Sequence, residues 1–113
     1  MVTTSTAAAA MTEADLERAV RRLLDGLGLF GFHPYDSRRS QPGWPDWAII
    51  GRKVLYRELK SEHGRLTSEQ RTVGYLLTAA GQDWAVWRPS DLLAGRVAEE
   101  LAALSRPRGG TPP

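Results

Sequence analysis

The segment 46–88 constrains the fold most, because it demands two kinds of strand pairing within one sheet. Asp46–Gly51 (DWAIIG) and Val54–Lys60 (VLYRELK) are strand-like runs on either side of a tight Gly51-Arg52-Lys53 turn, which predicts an antiparallel hairpin. The second run leads into a helix over Thr67–Ala80 and then into Asp83–Arg88 (DWAVWR), nearly all apolar, as in a strand buried on both faces. A strand–helix–strand unit of this kind requires a parallel, right-handed crossover. One sheet that satisfies both demands is mixed, with helices on its faces.

The flanking sequence completes the order α-β-β-β-α-β-α, an α/β sandwich. Thr12 and Asp15 form a capping box for a helix over Glu13–Leu27, whose Leu16, Val20, Leu23, Leu24 and Leu27 make one apolar stripe before Gly28 and Gly31 break it. A short strand is expected around Phe32–Arg38. In the Thr67 helix, Thr67 and Gln70 form a second capping box, and Val73, Leu76, Leu77 and Ala80 supply the stripe. Ser90 is expected to cap a last helix carrying Leu93, Val97, Leu101 and Leu104. The small, polar residues 1–11 and the Pro/Gly-rich residues 105–113 read as disordered ends around one domain over residues 12–104.

Composition removes several classes of function. The chain of 113 residues has no cysteine, which excludes disulfides, thiol catalysis, zinc fingers and iron–sulfur clusters. No apolar run approaches the roughly 20 residues that cross a bilayer. The first ten residues lack a basic n-region, so no secretory signal is expected. The expected setting is cytoplasmic, in a bacterial cell or a phage-infected host. The formal charge is +2, but residues 37–65 alone carry +4. Thirteen of the fifteen cations are arginines, whose planar fork suits phosphate.

That basic third also holds the candidate chemistry. Glu58 and Lys60 are two apart on a strand and share a face, with Leu59 on the other. If Gly51, Arg52 and Lys53 form a three-residue loop, Ile50 pairs with Val54 and Asp46 falls opposite Glu58. Opposed residues have Cβ atoms about 5 Å apart, so the two carboxylates repel unless a cation lies between them. Oxygen ligands of this kind suit Mg²⁺, with Mn²⁺ as a substitute. A slip of one residue would turn Asp46 to the other face. Taken singly, Glu-x-Lys also reads as a solvated ion pair, and an Asp after Pro as a turn residue.

Gly43-Trp44-Pro45-Asp46, Glu58-Leu59-Lys60 and Gly64-Arg65-Leu66-Thr67-Ser68-Glu69-Gln70 together resemble the VRR-Nuc (virus-type replication–repair nuclease) domain of the PD-(D/E)XK nuclease superfamily. The resemblance covers roughly residues 12–93, and Trp87–Asp91 (Trp-Arg-Pro-Ser-Asp) is similar as well. It implies a restriction-endonuclease-like sandwich and metal-dependent hydrolysis of DNA phosphodiesters. Asp46 and Glu58 would be metal ligands, joined by the Leu59 backbone carbonyl. Lys60 would contact the attacking water or the scissile phosphate. Gln70 matches a glutamine beside the metal site, which is compatible with its capping role. Glu17 matches an acidic residue on the first helix, favoured slightly over Glu13.

Arg38, Arg39 and Arg65 lie in loops next to the site and are the best candidates for phosphate contacts. His63 follows Lys60 in a turn where it could touch DNA, and Trp44 could stack on a base. His33 could serve as a general base, but nothing in the sequence places it near Asp46, so it reads as a satisfied surface histidine. Trp47 should pack in the core, and Trp84 and Trp87 in the core or a dimer interface. The expected partners are DNA and a second copy of the chain; the resemblance implies branched DNA such as a four-way junction, while the residues themselves do not separate junction, flap, nicked and plain duplex. The last helix or the Trp84–Trp87 strand would supply that homodimer contact. No membrane and no small-molecule cofactor are expected. Two readings compete with a nuclease. A silent DNA-binding module on this fold would lack Asp46, Glu58 or Lys60, yet all three are present. An assembly protein would bind no DNA at low salt.

Overall fold

The computed structural model describes residues 3–34 and 41–106. Its first helices are α1 (Thr4–Ala10) and α2 (Glu13–Leu27), followed by strands β1 (Phe30–Phe32), β2 (Trp47–Ile50) and β3 (Val54–Leu59). Helix α3 (Ser68–Ala79), strand β4 (Asp83–Trp87) and helices α4 (Pro89–Leu93) and α5 (Arg96–Ser105) complete the chain. The protein is an α/β fold in which helices flank a four-stranded mixed sheet of order β1-β2-β3-β4. β1, β2 and β3 pair antiparallel, and β3 and β4 pair parallel.

Local chemistry sets most element ends. Thr12 and Asp15 close the capping box of α2 as expected, and Gly28, at φ 67°, ends it. The Gly28 N–H bonds to Asp25 O and the Leu29 N–H to Leu24 O, a Schellman closure that turns the chain sharply out of the helix. Extended backbone therefore starts at Phe30, ahead of the expected Phe32, and β1 ends before His33. Gly31 belongs to this strand and does not end the helix. A Cβ there would lie 2.8 Å from Leu24 Cδ1 and from the Trp47 ring, so only glycine lets β1 lie this close to α2.

The hairpin takes the expected register, with Ile50 opposite Val54 and Trp47 opposite Arg57. Its turn is held by α5, whose Leu104 and Ala103 carbonyls accept from the Arg52 N–H and Nε. Side chains on one face of the sheet (Trp47, Ile49, Leu55, Leu59 and Trp87) pack against Leu16, Val20 and Leu24 of α2 and Val97, Leu101 and Leu104 of α5. On the other face α3 lies against β4, with Gly74 fitted to the Trp84 ring.

Several expectations change. The end taken as disordered holds α1, whose Ala8 is buried and which packs on α4. The last helix is two, because Gly95 adopts φ 85° between α4 and α5. Arg88, rather than Ser90, precedes α4, and Leu93 falls outside the buried stripe. β4 is half-buried rather than buried on both faces, because it is an edge strand. Trp87, Val97, Leu101 and Leu104 are consumed by the core, which removes them as a dimer surface. Exposed apolar side chains lie elsewhere, at Tyr75 and Leu76 on α3, the latter expected in its buried stripe, and at Phe30, Phe32 and Ile50, which are 66%, 55% and 48% accessible. Ladder pairing puts these three on the sheet face opposite the core.

Candidate functional site

Asp46 occupies a bend immediately before β2, so its backbone lies outside the β2–β3 ladder, which starts at Trp47. Its side chain crosses to β3, where Oδ2 accepts the Leu59 N–H at 2.7 Å. The neighbouring Glu58 is 3% accessible. The two carboxyl groups meet as the register requires. Burial, then the hydrogen bond and the charge of Asp46, push the Glu58 carboxyl up to about 9, with Glu13 adding to the rise and Lys60 opposing it. Glu58 therefore keeps its proton at neutral pH.

Gln70 completes this arrangement. Its Oε1 accepts the Thr67 N–H at 2.9 Å, closing the capping box, while its Nε2 donates to Glu58 Oε1 at 2.9 Å. One end of the Gln70 amide thus caps α3 while the other holds Glu58. Glu58 Oε2 is buried and receives no donor from the protein, so the pair is settled only while it holds the proton it shares with Asp46.

A cleft of about 320 Å³ opens over this pair, lined by Glu17, His33, Trp44, Asp46, Glu58 and Gln70 with the 41–43 and Pro34 backbone around them. A smaller recess of about 190 Å³ adjoins it, lined by Glu13, Glu17, His33, Asp46 and Leu59. Glu17 faces both spaces and Glu13 only the smaller one. No protein-family model, curated protein or solved structure matches the chain.

Among the described residues, no group of three or more His, Asp or Glu side chains is gathered as a ready-made ion site. The donor set inferred from the sequence has only two side chains, Asp46 and Glu58, with the Leu59 carbonyl as third donor. With the Glu58 proton removed, Oε2 is left without a donor, and a cation fits there in its place. A buried acceptor without a donor is costly, and a hard divalent ion bound by oxygens relieves it.

Lys60 continues the β3–β4 ladder through its N–H to Trp87 O. Its charge reaches Glu58, yet it is not among the residues lining the cleft. Arg65 and His63 are exposed on the loop between Lys60 and α3. Arg38 and Arg39 lie outside the described residues. Trp44 is 41% accessible and packs edge-on to Tyr56 at the rim of the cleft. Arg57, part of the basic surplus, is withdrawn from any ligand: it is buried and paired with Glu100 at 2.8 Å and Asp83 at 3.0 Å.

Three residues escaped the sequence reading. Arg88 Nη1 donates to the carbonyls of Ser61 and Gly64, both at 2.7 Å, and of Glu62 at 3.2 Å. The Glu62 carboxylate accepts from the Ser90 N–H and hydroxyl. Together they bolt the loop after Lys60 to the start of α4. The only sequence signal was the Trp87–Asp91 segment, which carried no role by itself. The third is His33, read as a surface histidine, which instead sits beside Asp46. Its Nδ1 donates to the Asp46 carbonyl and its ring stacks on Trp47 with centroids 4.7 Å apart.

Proposed function

We propose that this chain is a metal-dependent endonuclease with the restriction-endonuclease-like sandwich of the PD-(D/E)XK superfamily, hydrolysing DNA phosphodiester bonds. Its selectivity would be for branched DNA such as a four-way junction, and its working form a homodimer in the cytoplasm of a bacterial cell or phage-infected host. One observation carries the reading. The buried Glu58 and the half-buried Asp46 form a carboxyl pair at the floor of an open cleft, with no donor from the protein at Glu58 Oε2. Such a pair persists either with a proton on Glu58 or with a divalent cation at the carboxylates.

Asp46, Glu58 and the Leu59 carbonyl would hold Mg²⁺, or Mn²⁺ in its place. The bound ion would polarise a phosphoryl oxygen and acidify a water at neutral pH. Gln70 holds Glu58 in one orientation through the amide that also caps α3. Lys60 stabilises charge on the scissile phosphate or orients the attacking water. Arg65 grips phosphate from the loop that Arg88 fixes. The exposed Phe30, Phe32 and Ile50 form the apolar surface available to a second copy.

The test is cleavage of linear duplex, nicked duplex, flap and four-way junction with Mg²⁺ or with chelator. The wild type should cut only with metal. Lys60→Ala should lose cleavage by several orders of magnitude and still retard DNA in a gel. Wild-type levels of cutting by Lys60→Ala would overturn the catalytic assignment. DNA binding without cutting in either metal would favour the silent binding module.

A further inference from the structure

Asp46 has two anchors, and they come from different strands. Its side chain is tied to β3 through the Leu59 N–H. Its main chain, in the bend before β2, receives Nδ1–H of His33 from the end of β1. A carbonyl oxygen only accepts, so Nδ1 is the protonated nitrogen in this contact. His33 is in turn held on its other sides. Its ring lies on Trp47 at an interplanar angle of 24°, and Nε2 is 3.4 Å from Glu17 Oε1. That same Glu17 oxygen takes Arg21 Nη2 at 2.8 Å, and the Arg21 guanidinium sits over the Trp47 ring at 5.1 Å. Arg21, Glu17 and His33 thus form a chain of contacts from the surface of α2 to the peptide of Asp46.

We infer that His33 is a positioning residue: its hydrogen bond fixes the Asp46 peptide, so that the carboxyl group stays turned toward Glu58 and the Leu59 amide. The bend gains no ladder bond of its own, so this donor and the Leu59 N–H together restrict rotation about Asp46. Glu17 faces Nε2 at 3.4 Å, a contact that attracts only when both ring nitrogens carry protons. The inference rests on the proposed metal site for its functional consequence, but its structural core is independent of that site. Loss of a comparable outer partner lowers metal affinity or activity about 10–100-fold.

Two variants separate the hydrogen bond from the stack. His33→Phe keeps an aromatic ring on Trp47 and cannot donate. His33→Asn gives up the ring and retains an N–H near the position of Nδ1. The first measurement is amide hydrogen exchange by NMR in metal-free protein. In His33→Phe the Leu59 amide should exchange about tenfold faster or more, while other β3 amides keep their protection; His33→Asn should restore most of it. The second is Mn²⁺ calorimetry with steady-state cleavage. His33→Phe should weaken Mn²⁺ binding and lower kcat about 10–100-fold with KM for DNA unchanged, and His33→Asn should recover to within about tenfold of wild type. Unchanged Leu59 exchange in His33→Phe, or an equal loss in both variants, overturns the positioning role. Wild-type protein that binds no Mn²⁺ would end the metal-site reading, and the Leu59 exchange would still decide for or against His33.

Discussion

At the scale of single residues, Glu58 sets how stability responds to pH. Its carboxyl is pushed up to about 9 in the folded protein, from an ordinary 4.5. Between these values the unfolded chain has released a proton that the folded chain keeps, so unfolding releases protons and stability falls as pH rises. One group contributes at most about 1.4 kcal/mol per pH unit to that slope. In chelator, the melting temperature should therefore drop between pH 6 and pH 8.5, and Glu58→Gln should flatten the drop. Titration of Mg²⁺ or Mn²⁺ should raise the wild-type melting temperature, more at pH 8.5 than at pH 6, because the ion displaces the Glu58 proton. Asp46→Asn should abolish most of that increase. An equal metal response in Asp46→Asn would show that the ion binds elsewhere.

At the scale of elements, α3 is tied to the site by its first turn. Thr67 caps the helix, and Gln70 both caps it and holds Glu58. The two substitutions should consequently diverge. Thr67→Ala loses one cap, worth about 1 kcal/mol, and should lower the melting temperature with kcat nearly unchanged. Gln70→Ala loses the same box and also leaves Glu58 Oε1 without its donor, so kcat should fall about tenfold or more as well. Parallel behaviour of the two variants in a combined melting and cleavage assay would reduce Gln70 to a capping residue. The loop between Lys60 and α3 is fixed from the other side by Arg88 and Glu62, which lock it to the β4–α4 junction. The chain on either side of Lys60 is thereby held, at Glu58 by α3 and after Lys60 by the β4–α4 junction.

At the scale of the whole molecule, the core is one-sided. α2 and α5 pack on one face of the sheet, whereas α3 lies on the β4 side of the other. Phe30, Phe32 and Ile50 remain open on the uncovered half. The proposed homodimer has its apolar surface there, since Trp87 and the α5 leucines are spent internally. Light scattering at micromolar concentration should give twice the chain mass for the protein alone and two chains per junction when a synthetic four-way junction is added, and Phe30→Ser with Phe32→Ser should give a monomer. A wild-type monomer in both conditions that cuts linear duplex well would leave a simpler endonuclease without junction selectivity. Among the described residues no helix is long and apolar enough to cross a membrane.

The sequence by itself determined what neighbouring residues decide among themselves. The bounds of α2 followed from Thr12, Asp15 and Gly28, whose bonds close within a few residues. The hairpin register followed from a three-residue turn and the period of two along a strand, and with it the meeting of Asp46 and Glu58. The cap of α3 followed from Thr67 and Gln70, although the second bond of Gln70 to Glu58 did not. Only the tertiary structure decided the rest. His33 reaches Asp46 because β1 pairs with β2 as Phe32 to Ala48, a register that no short turn specifies. Arg57, counted in the basic surplus, is buried because α5 folds back over β3 with Glu100. Gly95 divided the last helix because a left-handed residue lets α5 turn onto the core, where Val97, Leu101 and Leu104 are buried. Contacts closed within a turn are written in local spacing, whereas contacts across long segments depend on which faces the packed sheet leaves for them.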